Sequence, residues 1–487
     1  MKKSIKELSP KVVWTHFDSL TQIPRPSKHE DKIQKFMLDF GKGLGLETIR
    51  DEVGNIIIRK PATKGMENKK GVILQAHLDM VPQKNSDKQH NFETDPIETI
   101  IDGEWVTANG TTLGADNGMG VAAAMAVLSS KDIEHGPIEA LFTCDEETGM
   151  TGAFGLKPGL LKGDILLNLD SEDEGELYVG CAGGTDATST IPYNEKNLDA
   201  DKYATYLLTL KGLKGGHSGM EIILQRGNSN KLLNRFLLDN IDKFDIKVVS
   251  INGGGLRNAI PRESFVTVAV CKNKTADFEK AVSEYEKMFK SELASVEPDL
   301  EFYCEKTDAA DKYIDEEVIA KLVKAVSACP NGVIRMSDDM EGLVETSSNL
   351  ASVKSGDGKI VAQCLLRSSV DTAKEELGNR IKSVFELAGA DVVLDGSYPG
   401  WKPNMDSPIL STMQNTYKKL YGKTPEIKAI HAGLECGLLG GVYPNWDMIS
   451  FGPTIRFPHS PDEKVSIPSV DKFWEFLLAT LKNIPNK

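Results

Sequence analysis

The sequence predicts an α/β protein in which a mixed-sheet domain with helices on both faces is interrupted by an inserted α+β domain. Three observations predict it. Four short apolar runs, Val72–Ala76, Ile138–Cys144, Ile165–Leu169 and Met448–Gly452, have the length and aliphatic content of buried strands. Each is followed, at once or within a few residues, by histidines or carboxylates: His77 and Asp79, then Asp145 to Glu147, then Asp170, then His459. Ligands of open α/β sheets bind beyond the carboxyl ends of the strands, so these residue types stand where a site is expected. Because the strands come from both ends of the chain, residues 1–183 and 402–487 are assigned to one discontinuous domain and 184–401 to the insertion.

The bulk numbers agree with this division. At 487 residues the chain is too long for one core. It is 40% hydrophobic and 26% charged, with no apolar segment near the ~18 to 20 residues of a membrane span. A formal net charge of -14 without any lysine or arginine block makes nucleic acid an unexpected partner, and part of that acidity is available to bound cations. Seven cysteines lie scattered without a CxxC, which predicts reduced, mostly buried thiols rather than a disulfide framework. The opening residues MKKSIKELSPKVVW carry basic residues but no apolar run and no small-residue cleavage site, so a cytoplasmic location is expected.

In chain order, apolar positions recur at helical spacing from residue 8 to 40 (Val12, Val13, Phe17, Leu20, then Ile33, Phe36, Met37, Phe40) around the turn IPRPSKHE. Two helices about a loop are predicted. The segment ETIRDEVGNIIIRK, with Gly54-Asn55 at its turn, reads as a hairpin leading to the Val72 strand. Pro82 to Thr112 reads as a polar excursion. Glycine-flanked Asp116 and Asn117 then open GMGVAAAMAVL, whose alanines and lack of proline predict a buried helix with Asp116 on the tight turn at its start. In the insertion, strand-like runs (Ala204–Lys211, Ser264–Cys271, Val361–Ser368) alternate with amphipathic helices (Ser229–Asn240, Thr275–Ala294, Thr372–Ala388), the pattern of an α+β lid.

His77, Asp116, one of Glu146 and Glu147, Asp170 and His459 form a nitrogen and oxygen donor set without thiolates, which favours zinc, manganese or cobalt. Two such ions sharing one bridging carboxylate would activate a water while an adjacent carboxylate moves its proton, and Glu146-Glu147 suits that split of roles. Taken singly, each residue has a plainer reading: His77 as a satisfied strand-end histidine, Glu146-Glu147 and Asp170 as solvated loop acids, Asp116 as a helix cap. Their coincidence at one kind of position, in a chain with eight histidines, sets a dinuclear site level with these plainer readings.

HLDMV at His77, GADNG at Asp116, DEETG at Glu146, NLDSE at Asp170, KGGHSG at His217 and FPHSPDE at His459 resemble the signature series of the M20 metallopeptidases. With AIHAGLECGLL, their order and spacing resemble the aminoacyl-histidine dipeptidase branch, also called Xaa-His or cytosolic nonspecific dipeptidase. The resemblance implies an α/β catalytic domain with a lid. It implies two divalent ions per chain, zinc before manganese or cobalt, one held by His77, Asp116 and Asp170 and the other by Asp116, Glu147 and His459. It makes Asp79 the carboxylate that orients His77, Glu146 the general acid/base, and His217 the oxyanion donor. Asn258 in GGGLRNAIP and Arg367 in LLRSSVD match less tightly, as groups that polarise the scissile carbonyl and fork onto a peptide carboxylate. Their plainer readings are a turn residue and a strand-surface arginine. Glu435, in HAGLECG, is a candidate for the substrate's amino end or a simple helix-start carboxylate.

The implied activity is hydrolysis of unblocked dipeptides, including Xaa-His peptides such as β-Ala-His. The alternatives are an amidohydrolase of N-acyl amino acids or a tripeptidase, and, from another class, a non-catalytic peptide-binding protein. The intact Glu146 and full ligand set argue against the last. A small peptide is the expected partner, with no nucleic acid and no membrane; monomer and homodimer both stay open.

Overall fold

A computed structural model describes residues 4–487. The chain packs into two units. One takes the chain up to Gly180, then Pro403–Ala429 and Leu434–Lys487; the other takes Cys181–Lys402 and Ile430–Gly433. The class is mixed α/β, and no described helix is long and apolar enough to cross a membrane.

The first unit is built on an eight-stranded sheet. Across it, in order, lie Glu47–Arg50, Ile56–Lys60, Ile138–Thr143, Val72–His77, Ile165–Asn168, Asp447–Ser450, Glu176–Cys181 and Glu426–Ile430. The four strands from Ile138–Thr143 to Asp447–Ser450 run parallel, so their carboxyl ends share one edge. These are the four runs singled out by their apolar content. Val72–His77, Ile138–Thr143 and Ile165–Asn168 are buried along their whole length, as strands covered on both faces must be. The hairpin about Gly54 forms as expected, but Ile138–Thr143 lies between it and Val72–His77.

The helix Ala115–Ser129 is buried at nearly every position, which is why it is made of alanine, glycine and valine: it packs against Val72–His77 on one side and the helix Lys11–Thr21 on another. Its first turn is irregular. Gly114 adopts φ 70, and Asp116 and Asn117 depart from helical geometry, so Asp116 is turned out of the helix rather than wound into it. The excursion Pro82–Thr112 is not all loop. It contains a hairpin, Thr99–Asp102 with Trp105–Ala108 around Gly103-Glu104, which joins Ile455–Arg456 and Lys464–Ser466 in a four-stranded sheet. The positive-φ Gly103 that begins the turn is the available sequence signal, between strands only four residues long.

The second unit centres on a nine-stranded sheet in which every pairing is antiparallel. Helices Ser229–Asn240, Thr275–Glu292, Glu316–Ala328 and Asp371–Leu387 supply the apolar face that covers it. Strands that alternate with helices yet pair antiparallel make this an α+β unit. None of the seven cysteines, all of them among the described residues, is in a disulfide, and five are buried.

Candidate metal centre and active site

The strand Val72–His77 ends in a buried histidine whose two ring nitrogens face different partners. Nδ1 lies 3.3 Å from Asp79 Oδ1 and 3.2 Å from the Asp79 carbonyl. Both are acceptors, so Nδ1 carries a proton, and Nε2 is left to face the other way. There Nε2 is 3.0 Å from Asp116 Oδ1 and 3.4 Å from Asp170 Oδ1, an oxygen that is buried and has no hydrogen-bond partner.

The other oxygen of Asp116 faces a second histidine. His459 Nε2 is 3.2 Å from Asp116 Oδ2 and 2.9 Å from Glu147 Oε2. His77, Asp116 and Asp170, and again Asp116, Glu147 and His459, each bring their donor atoms within 4.8 Å of one another. Asp116 belongs to both triplets and gives one oxygen to each. The donors are imidazole and carboxylate throughout, the set that suits zinc, manganese or cobalt, and the orphaned Asp170 oxygen is what such a site leaves when no cation is counted. The residues therefore fit a divalent metal centre.

Glu146 and Glu147 follow the strand Ile138–Thr143 on the short helix Glu146–Gly149. The backbone N–H of each donates to Asp79, to Oδ1 at 3.0 Å and Oδ2 at 3.2 Å, and Ser27 Oγ donates to Oδ2 at 2.8 Å. One fully buried carboxylate thus orients His77 and anchors the turn that carries both glutamates.

The electrostatics express the same crowding. Burial opposes charge on His77, yet Asp170, Asp116 and Asp79 outweigh it and raise its proton affinity well above the ordinary range. Hydrogen bonds to Asp116 and Glu147 push His459 up to about 11. Burial, then the neighbouring charges of Asp116 and Glu147, raises Asp170 to about 6 against the pull of His77. Burial also lifts Glu146 well above a normal glutamate, with Asp170, Glu435 and Glu147 adding to it and His77 opposing. Too much negative charge is gathered for the protons of two histidines to balance, and a cation relieves that.

Glu435 opens the helix Glu435–Val442 and is 1% exposed. Its Oε2 accepts from Gln75 Nε2 at 2.6 Å and Thr143 Oγ1 at 2.8 Å, while Oε1 is buried without a partner. Burial, reinforced by Asp170 and Asp79, raises it to about 7.

Within the second unit, three predicted residues gather. His217 Nδ1 accepts N–H bonds from Gly219 at 3.2 Å and Met220 at 3.1 Å, so the neutral ring carries its proton on Nε2 and presents a donor. The Asn258 carbonyl accepts from Ser218 N at 2.8 Å, which sets the Asn258 bend against the His217 loop. Arg367 is 5% exposed, donates to Tyr398 OH at 3.3 Å, and has no partner for its Nε. A side chain on Gly219 would lie 3.0 Å from His217 Cε1 and 3.2 Å from Arg367 Nε and would collide with the His431 carbonyl, so glycine is what lets these groups converge.

Sequence reasoning missed several buried partners: Arg25, Ser27 and Glu30 in the turn IPRPSKHE, Glu463 in FPHSPDE, and His431, whose Nε2 lies 2.7 Å from Ser347 Oγ. Nothing in their spacing marks them. A loop of prolines and charges reads as solvated until its neighbours are known.

Residues 73–483 match the model of Peptidase family M20/M25/M40. The chain is 49% identical over 487 residues to the cytosol non-specific dipeptidase of Escherichia coli (strain K12), covering 99% of each chain. It superposes on the crystal structure of aminoacylhistidine dipeptidase from Vibrio alginolyticus with a TM-score of 0.95 at 51% identity, covering 100% of this chain and 99% of that one. A tripeptidase from Staphylococcus aureus shares the fold at a TM-score of 0.56 and 16% identity, covering 98% and 99%.

Proposed function

The chain is a member of peptidase family M20/M25/M40, and from that premise we propose that it is a metal-dependent dipeptidase acting on unblocked dipeptides, Xaa-His peptides among them. The observation that carries the reading is Asp116, whose two oxygens face two separate ligand triplets that meet in this one residue. Full-length similarity to a protein named as a dipeptidase supports the substrate class. Bound there, two divalent ions, zinc before manganese or cobalt, would supply Lewis acidity toward water and the scissile carbonyl.

The chain's own residues do the rest. Asp79 holds the His77 tautomer and the glutamate turn. Glu146 takes the proton of the attacking water and returns it to the departing amine nitrogen; its raised proton affinity suits a group that must keep the proton between the two steps. His217 donates a hydrogen bond from Nε2–H to the developing oxyanion, Asn258 polarises the carbonyl, and Arg367 forks onto the peptide's terminal carboxylate. Glu435 receives the free amino group, for which its unpartnered buried oxygen is a fit acceptor. The cytoplasm is the proposed location.

Metal-stripped protein reloaded with zinc, manganese or cobalt and offered free and N-acetylated dipeptides tests this. Turnover of free dipeptides alone is expected. Equal turnover of N-acetylated substrates would favour an amidohydrolase.

A further inference from the structure

Asp116 is the one residue common to both triplets, yet it sits on an irregular helix start whose N-cap, Gly114, has no side chain to bond it. Two buried charges do. Glu463, 2% exposed, accepts four consecutive backbone N–H bonds: from Leu113 at 2.8 Å and Gly114 at 3.0 Å on Oε2, and from Ala115 at 2.7 Å and Asp116 at 3.2 Å on Oε1. It lies four residues after His459, and its own carbonyl accepts from Thr107 Oγ1 at 2.8 Å, so the small four-stranded sheet holds it in place.

Arg25, 3% exposed, works from the other side. Its Nη1 donates to the Leu78 carbonyl at 2.9 Å and the Asp79 carbonyl at 3.1 Å, and its Nη2 to the Gly114 carbonyl at 2.5 Å. The guanidinium therefore ties the end of the His77 strand to the turn that presents Asp116. Gly114 and Gly118 make room for it, since a Cβ on either would fall within 2.6 Å and 2.7 Å of Nη2. Among the charges that offset the burial of Arg25, Glu463 is the largest, ahead of Asp79 and Asp116.

We propose that Glu463 and Arg25 are positioning residues that together fix Asp116 between the two ligand triplets, and that this clasp sets how tightly the site holds metal. One carboxylate links the Asp116 turn to the His459 segment; one guanidinium links it to the His77 strand. Neither side chain need touch metal or substrate. The inference rests on the proposed metal-centre reading and adds residues outside the ligand set.

The test is zinc affinity measured by competition with a chromophoric chelator, on wild type, Glu463→Gln and Arg25→Lys. Glu463→Gln puts an NH2 where two N–H donors need an acceptor, and roughly a 10- to 100-fold weaker affinity is expected, the scale of groups that orient metal ligands. Arg25→Lys keeps the charge but lacks the fork to span three carbonyls, so it should also weaken binding. In both variants excess zinc should restore most of kcat, and the rise in Tm on adding zinc should shrink. A purely structural role would lower Tm with and without zinc alike. Zinc affinity within about threefold of wild type in folded Glu463→Gln would overturn the inference. Should that variant not fold, Glu463→Asp, which keeps the charge and shortens the reach, is held to the same threshold. A wild-type count of one ion would fail the two-ion reading, leaving the comparison of variants to decide this inference.

Discussion

The two units bury charge in opposite ways. In the first, Arg25, Glu30, His77, Asp79, Asp145, Glu435 and Glu463 are all at least nine-tenths buried, and they crowd at one end of the sheet beside Asp116, Glu146, Glu147 and Asp170. In the second, one continuous apolar core runs from Ala187 to Val392, with an aromatic cluster of Tyr206, Phe236, Phe278, Phe289 and Phe302. Its buried charges are mostly satisfied one at a time: Glu297 accepts from Lys214 N at 2.8 Å and Gly227 N at 2.9 Å, and Lys374 is 2.9 Å from Asp371. The second unit is stable by the ordinary balance of apolar burial. The first gathers negative charge that its own cations do not balance, which is the charge that the proposed metal ions would offset.

The largest expected effect divides two neighbouring carboxylates inside the first unit. Glu147 faces His459 at 2.9 Å and belongs to a triplet, whereas Glu146 is assigned the proton. Glu146→Gln should keep the wild-type metal content and lose on the order of 100-fold or more in kcat. Glu147→Gln should lose metal as well. Elemental analysis beside steady-state kinetics separates them, and equal metal contents would break the division of labour.

Next comes a residue of the second unit assigned to the transition state. His217→Ala removes the Nε2 donor, and kcat should fall by roughly 10²- to 10³-fold with metal content unchanged and KM little altered. A kcat within about threefold of wild type would return His217 to a glycine-bracketed turn residue.

A smaller effect tests the comparison itself. Ions that bind only the folded state stabilise it by mass action, about 2.7 kcal/mol when free metal stands at 100 times Kd. Chelation should therefore raise hydrogen exchange in the strands Val72–His77 and Ile165–Asn168, while Lys359–Ser368 of the second unit keeps its protection. Equal loss in both units would show that the charge imbalance is not local to the first.

The same contrast explains what could be read from the sequence. The parallel strands are legible because burial on both faces writes continuous aliphatic runs, and the candidate ligands are legible because His77, Glu147, Asp170 and His459 follow such runs while Asp116 stands on the glycine-flanked turn that opens an alanine-rich helix. The strands and helices of the second unit follow from alternation and helical period, and Ser229–Asn240 and Ser264–Cys271 fall where those patterns place them. What stays hidden is support. Arg25 and Glu463 bond to backbone atoms of distant segments, and a backbone carbonyl or N–H leaves no trace in residue identity. The hairpin Thr99–Ala108 was lost for a related reason: four-residue strands packed on a few partners carry too little pattern.

The smallest expected effect lies in the second unit and turns on His431, which is 6% exposed, bonds Ser347 through Nε2, and has a buried Nδ1 without a partner. Burial, helped by the charge of Arg367 and by His217, lowers it from 6.5 to about 3. Between those values the folded ring is neutral while the unfolded ring binds a proton. The unfolded state then binds more protons, so stability is full above about pH 6.5 and is lost as pH falls toward 3. At pH 5 the loss from this one group is about 2 kcal/mol at most, from 1.36 kcal/mol per pH unit over the interval below 6.5. His431→Gln removes the titration and can still bond Ser347. Measured on metal-free protein, the drop in second-unit protection between pH 7.5 and pH 5 should be smaller in the variant than in wild type by that amount. His16 of the first unit, lowered to about 4 by burial, is common to both proteins and cancels from the difference. An unchanged pH dependence in His431→Gln would mean that His431 takes up a proton as readily in the folded protein as in the unfolded one, so that burial does not hold it neutral.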